Sequence, residues 1–268
     1  MTFYPNHAKR KLAAGGVAIS FGVHHVRSAA APILAAATGH DILFIDMEHG
    51  PFSVQEASQL SLAALPTGVA PLVRTCAGAL DEATRLLDNG AQGIVVPHVD
   101  TAAQARAVAD AFHYPPKGRR SWGGPPPLFG YLAPPVGEAM AAINREILTV
   151  VMIESPLAVE NAEAIAAVRG IDVLLIGTFD LTAELGIAGE VTHPKVIEAY
   201  AQVAAACRKH DKVLGMGGIN EPADIERYLR MGARYLGAGS DQSTMITGAE
   251  ERMALLREML GRTGARAG

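Results

Sequence analysis

Eight short apolar runs, each followed by a stretch with helical character, leave this chain few folds to choose from. The runs fall at residues 17–21, 42–45, 70–74, 93–97, 148–153, 172–176, 212–215 and 234–238. Such runs suit a strand buried on both faces and are too short to be helices. The intervening segments at 28–38, 53–65, 80–89, 101–113, 156–168, 194–210, 221–231 and 244–260 read as helices. Ser53 with Glu56 three residues on forms a capping box. Gly39, Gly90, Gly170 and Gly232 stand where a helix ends and the next strand is about to begin, the place for a left-handed cap. Alternation of this kind predicts parallel βαβ units. An open doubly wound sheet would want a G-x-G-x-x-G turn after the first strand, and none is present. The expectation is therefore a (β/α)8 TIM barrel, one domain over residues 1–268, with a short basic helix ahead of strand one.

Composition narrows the partners. Hydrophobic residues make up 49% of the 268 and charged residues 19%, enough for a large core. A net charge of −4, with no basic stripe, argues against nucleic acid. No run reaches the ~18 apolar residues of a membrane span. The basic stretch before Leu12 imitates a signal peptide only faintly, because Gly15-Gly16 breaks its apolar part. Two cysteines, Cys76 and Cys207, build no disulfide framework, so a cytoplasmic location is expected. One segment breaks the rhythm. Residues 114–135 hold seven prolines and four glycines in 22 positions, as in a lid or an interface element.

In a barrel the carboxyl ends of all strands rise at one rim, the face that carries chemistry. Strand two ends in Asp46, Glu48 and His49, strand three in Arg74, strand five in Glu154. Asp180 lies four positions past Ile176 of strand six, and Ser240 and Asp241 follow strand eight. Glu154 and Asp180, on adjacent strands, could share a hard divalent cation that keeps open positions for a bidentate 2-oxo acid. Either acid could instead cap a helix or pair with an arginine. Arg74 could hold a keto oxygen and the enolate oxygen derived from it, or be a structural ion pair. His49 could be the general base with Asp46 orienting it, or simply a satisfied polar residue. Asp88 is oddly placed, since an acid near a helix C-terminus opposes the macrodipole. His24, His25 and His98 are weaker candidates, His98 belonging to the rim or the outer pocket.

The motifs Ile45-Asp46-Met47-Glu48-His49, Pro71-Leu72-Val73-Arg74, Leu86-Leu87-Asp88-Asn89-Gly90, Tyr114-Pro115-Pro116-Lys117-Gly118-Arg119-Arg120, Ile153-Glu154, Ile176-Gly177-Thr178-Phe179-Asp180-Leu181 and Gly239-Ser240-Asp241 resemble, in order, those of the HpcH/HpaI aldolases, metal-dependent pyruvate aldolases of class II. The resemblance covers about residues 6–260. It implies a barrel, usually hexameric (a trimer of dimers), with the last helix exchanged between neighbours. It implies Glu154 and Asp180 as ligands of a divalent ion (Mg, Mn or Co) and Arg74 on the pyruvyl oxygen. His49 with Asp46 would be an acid–base pair. Asp88 would reach a neighbouring subunit's site. Backbone amides over Gly177, Thr178, Phe179 and Asp180 would hold the substrate carboxylate. The implied reaction is reversible cleavage of a 4-hydroxy-2-oxo acid to pyruvate (or hydroxypyruvate) and an aldehyde. Thr178-Phe179 and Met152 depart from commoner family residues on the acceptor side. A CoA-ester lyase or a 2-oxo acid decarboxylase would use the same enolate site. A phosphate-binding barrel using Gly237-Ala238-Gly239-Ser240 and a binding protein without catalysis complete the alternatives.

Overall fold

The structure, a computed structural model, describes residues 2–263. Eight parallel strands close a barrel in sequence order: β1 (Ala18–Val23), β2 (Ile42–Asp46), β3 (Ala70–Arg74), β4 (Gly93–Val96), β5 (Leu148–Ile153), β6 (Val173–Gly177), β7 (Val213–Gly217) and β8 (Ala233–Ser240), with β8 returning to β1. All residues of β3, β4, β5 and β6 are buried. That is why those strands read as continuous apolar runs rather than alternating ones.

The core has two layers. Outward-facing strand residues such as Leu43, Ile45, Ile94 and Ile176 pack under the helices. Inward-facing ones such as Ile42, Leu72, Val95, Val150 and Leu175 fill the barrel, together with Ala8 and Leu12. Those two belong to the basic helix α1 (His7–Ala13), which plugs the amino-terminal mouth. Asn6 caps it, its Oδ1 accepting from the Lys9 N–H at 2.8 Å. The outer helices follow as α2 (Ala30–Ala37), α3 (Val54–Ala64), α4 (Leu80–Asp88), α5 (Ala102–Phe112), α6 (Val136–Glu146), α7 (Pro156–Glu160), α8 (Ala162–Ala166), α9 (Thr178–Glu184), α10 (Pro194–Lys209), α11 (Pro222–Arg230) and α12 (Asp241–Thr263).

Several elements differ from the expectation. The segment read as one helix over 156–168 is two, divided at Asn161. Helix α6 falls in a stretch with no sequence expectation; it buries only Ala139, Ile143 and Glu146, too few to show a period. Helix α9, at seven residues, is also too short for a periodic signal. Helix α12 starts directly at the end of β8, three residues before position 244.

The Pro/Gly-rich segment does not form a lid. It follows α5 and returns toward α6 on the amino-terminal side of the barrel. There the Tyr4 N–H donates to Leu128 O and Phe3 packs on Phe129 with centroids 5.1 Å apart. No described helix is long and apolar enough to cross a membrane.

Candidate active site

Strand register does the first positioning. Asp46 and Arg74 are directly paired residues at the ends of β2 and β3. Asp46 Oδ1 accepts from Arg74 Nε at 2.9 Å and Oδ2 from Nη2 at 2.6 Å. This is the bidentate fork that guanidinium geometry favours. Both side chains are buried, Asp46 at 0% exposure. Burial by itself would raise the Asp46 pKa, but the bonds and charge of Arg74, the His49 N–H and the nearby His24 together leave it lowered. Arg74 is opposite in sign. Burial works against its charge, while Asp46, Glu48 and Glu154 hold the guanidinium charged. Glu48 Oε2 is 3.2 Å from Arg74 Nη1, and the guanidinium lies 5.5 Å from the Phe44 ring. Arg74 thus has the acidic partners in space that it lacks in sequence.

The expected link from Asp46 to the His49 ring takes another form. Asp46 Oδ1 accepts the backbone N–H of Glu48 at 3.0 Å and of His49 at 3.3 Å. The His49 ring is 62% exposed and is 3.8 Å from Glu48 Oε2. The ring that lies beside Asp46 is that of His24, with Nε2 3.5 Å from Oδ2. The reason is the tight turn after β2. A carboxylate that captures the next amides faces back along its own chain, and Arg74 takes its outer edge.

Glu154 follows β5 with its side chain 1% exposed. Its Oε2 accepts the His98 N–H at 2.8 Å, and His98 Nδ1 is 3.4 Å away. His98 holds φ +53°, so its backbone is turned to aim that amide inward. The same ring places Nε2 3.8 Å from Glu48 Oε1. His98 therefore bridges two acids, a more specific place than the rim or outer pocket expected for it. Burial, the largest influence, raises the Glu154 pKa. The His98 amide and ring oppose it, Asp180 and Glu48 add to it, and the net direction is upward.

Glu154 fits only because position 177 is glycine, since a Cβ there would come within 2.5 Å of Oε1. Helix α9 starts from that glycine and carries Asp180, exposed, in its first turn. Thr178 points elsewhere, its hydroxyl donating to Gly217 O at 2.7 Å and meeting Tyr200 Oη at 2.8 Å. Phe179 is 56% exposed. An ionisable carboxylate that is buried, with further negative charge in range, is short of a cation. A two-carboxylate oxygen donor set suits a hard divalent ion that retains water. Among the described residues no group of three or more His, Cys, Asp or Glu side chains is arranged to hold an ion.

A cavity of about 1190 Å³ opens at this rim, lined by His24, His49, Arg74, Met152, Thr178 and Asp180 among others. Opposite the charged groups its wall is small: Ser20 and Gly22 of β1, Gly217 of β7, Gly237 and Gly239 of β8. Asp88 is not part of it. As the last residue of α4 it lies on the amino-terminal side, 2.6 Å from Nη2 of the buried Arg120. Asp241, expected to contribute chemistry, is spent on the backbone. It accepts the N–H groups of His24 (3.0 Å), His25 (2.8 Å), Val26 (2.7 Å) and Gln242 (2.8 Å). Burial pushes its pKa up, but the amides of Val26, His25, His24 and Gln242 bring it below the ordinary value.

Comparisons with known proteins bear on the fold and the family. The family model for HpcH/HpaI aldolase/citrate lyase matches residues 26–248. The chain is 36% identical over 257 residues to the 4-hydroxy-4-methyl-2-oxoglutarate aldolase of Hapsidospora irregularis, covering 94% of each. It is 33% identical over 226 residues to the 2-keto-3-deoxy-L-rhamnonate aldolase of Salmonella paratyphi B, covering 84% of each. The crystal structure of an HpcH/HpaI aldolase from Desulfitobacterium hafniense matches with a TM-score of 0.88 at 30% identity, covering 96% of this chain and 98% of that one.

Proposed function

Because the chain belongs to the HpcH/HpaI aldolase/citrate lyase family, we propose that it is a divalent-metal-dependent aldehyde-lyase that reversibly cleaves 4-hydroxy-2-oxo acids to pyruvate, or hydroxypyruvate, and a carbonyl partner. The observation that carries this is Glu154, an acid buried among like charges at a strand end with the Arg74 guanidinium in range.

Glu154 and Asp180 would hold the ion, which when bound supplies Lewis acidity at the C2 carbonyl. Magnesium, manganese and cobalt all suit the donors. Arg74, its fork anchored by Asp46, faces the same C2 oxygen. It stabilises the charge that collects there as the C3–C4 bond breaks. His49 takes the proton of the C4 hydroxyl. The C–O bond becomes C=O, the C3–C4 electron pair passes into the enolate, and a proton delivered to C3 releases pyruvate. The amides at the start of α9, over Gly177, Thr178, Phe179 and Asp180, receive the substrate carboxylate, with Thr178 contributing its N–H only. Glu48 and His98 position Arg74 and Glu154.

A homo-oligomer, a trimer of dimers with the last helix exchanged and Asp88 reaching a neighbour's site, belongs to the same reading. Support comes from α12, which leaves Met245, Ile246, Met253, Leu255, Leu256 and Met259 exposed along one solvent-facing helix. A cytoplasmic site of action fits the two free cysteines, Cys76 and Cys207. CoA-ester cleavage and decarboxylation remain behind aldol cleavage, because the relatives above are named as aldolases.

The test is exchange of the pyruvate C3 protons for deuterium, followed by NMR with added Mg²⁺, Mn²⁺ or Co²⁺ and with chelator. Exchange that needs the metal and disappears in Glu154→Gln is the expected result. Metal-independent exchange, or none under any condition, would sink the reading.

A further inference from the structure

His24 is the one cavity-lining imidazole for which the reaction above has no use, and three features show that its place is built. First, its loop is held by Asp241, whose buried carboxylate accepts the N–H groups of His24, His25 and Val26 in succession. Such a clamp fixes the backbone from which the ring projects. Secondly, the ring stands beside Asp46 without being consumed by it. Nε2 is 3.5 Å from Oδ2, which Arg74 already occupies at 2.6 Å, and hydrogen bonds weaken well before that separation. The donor is aimed but unspent, and the side chain is 30% exposed to the cavity. Thirdly, the wall next to it is made small. A Cβ at Gly22 would meet Gly239 O at 3.0 Å and Ser240 Cβ at 3.1 Å, so the ends of β1 and β8 touch. Ser240, Ser243 and Thr244 line that side with hydroxyls.

The charge balance indicates where a second anionic group of a ligand would be received. Arg74 is committed to Asp46 and Glu48, while Asp180 and Glu251 also line the cavity. A second anionic group on a ligand would therefore find its donors on the β1 and β8 side, at His24 and the hydroxyls. Resting on the aldolase reading, we propose that His24 is a specificity-determining residue that donates to a carboxylate borne by C4 of the substrate. The preferred substrates are then adducts of pyruvate with a 2-oxo acid rather than with an uncharged aldehyde. Branching at C4 is accommodated by the glycine and serine wall.

The experiment pairs 4-hydroxy-2-oxoglutarate, which carries a carboxylate on C4, with 4-hydroxy-2-oxopentanoate, which carries a methyl there. Wild type should favour the first. His24→Ala should lower kcat/KM for the first by about 10- to 100-fold, the size of one charge-assisted hydrogen bond. Most of the loss should fall in KM, with less than about threefold change for the second. His24→Lys should restore part of the preference and His24→Gln little of it. Equal losses on both substrates, or no preference in wild type, would overturn the proposal. Binding of 2-oxoglutarate and 2-oxopentanoate, measured by calorimetry on the same proteins, separates the two readings. Wild type that prefers 2-oxoglutarate in a His24-dependent way yet cleaves neither hydroxy acid overturns the aldolase reading alone. Binding without preference overturns the assignment of His24.

Discussion

At the amino-terminal mouth of the barrel Asn6 is fully buried, and at the carboxyl-terminal mouth Glu154 is nearly so, at 2% exposure. Their surroundings are opposite. Asn6 donates its own N–H to Glu146 Oε2 at 2.7 Å and its side-chain amide to Gln92 O and Glu146 O, both at 3.0 Å. Nearby, Asp172 Oδ2 accepts from Lys9 Nζ at 2.9 Å and from the Thr149 N–H at 2.8 Å. The polar groups directly around Asn6 have partners. Glu154 has one amide and one imidazole, and then Asp180 and Glu48 with charge of its own sign. Buried groups that are satisfied hold a fold together, while buried groups left in conflict cost stability. The lower mouth reads as the structural end and the upper one as the working end.

Replacing Glu154 by Gln tests that contrast most severely. Activity should fall by about 10⁴-fold, since a metal contributes several kcal/mol of charge stabilisation. The melting temperature of metal-free protein should hold or rise. The sign follows from the raised pKa: a carboxyl harder to ionise when folded costs stability as pH rises past its unfolded value of 4.5. A neutral amide removes that cost. A clear fall in melting temperature would mean that Glu154 is structural, like Asn6.

Arg74 belongs to both categories, being buried, well paired and in the cavity. Arg74→Met strands Asp46 without a counter-charge, and loss of one member of a buried pair costs roughly 3–5 kcal/mol. Denaturant unfolding should show about that. The further change Asp46→Asn should return a good part of the stability and none of the activity. Because the Asp46 pKa is lowered, its contribution is present above the unfolded value of 3.8 and is lost as pH falls through the lower folded one. In Asn6→Ala the losses are reversed. Glu146 O and the Lys9 amide lose their Asn6 partner, and Gln92 O keeps only the Leu148 N–H, which should cost about 3 kcal/mol, with kcat/KM within about twofold of wild type. A large kcat effect there would erase the distinction between the two mouths.

How much of this the sequence carried differs between the ends. The barrel was legible because continuous apolar runs and glycine stops survive in a linear reading, and 148–153 coincides with β5 to the residue. At the upper rim the rule that chemistry follows strand ends brought Asp46, Arg74, Glu154, His49 and Asp180 to one mouth. Pairing across strands was not legible. That Asp46 meets Arg74 depends on register, and that His24 comes beside Asp46 depends on the clamp from Asp241, more than two hundred residues away in the chain. His24 directly follows β1, so the same rule applied to the first strand points to it. Asp88 was placed by its helix end, and Arg120 beside it emerged only from the folding of an irregular segment. The plug role of α1 was hidden because a short basic helix reads as surface; two residues, Ala8 and Leu12, make its buried face.

His113, like Thr149 Oγ1 and the Nε and Nη1 of Arg120, leaves a buried polar atom unpartnered at the lower mouth, and it gives the smallest effect. It is fully buried; Nδ1 is 3.1 Å from Ala109 O, and Nε2 has no partner. Burial, then the charge of Lys117, push its pKa down from 6.5 to about 4, against the opposing pull of Ala109 O and Asp172. The unfolded chain therefore takes up a proton near pH 6.5 that the folded chain refuses. Stability from this group is complete above that pH and declines as pH falls toward 4. Linkage puts the loss between pH 7 and pH 5 at about 2 kcal/mol. In His113→Gln that part of the slope should vanish, leaving a flatter profile in paired urea titrations at the two pH values. An unchanged slope would mean that the lower mouth admits the proton, and that its polar groups are less completely enclosed than those around Asn6.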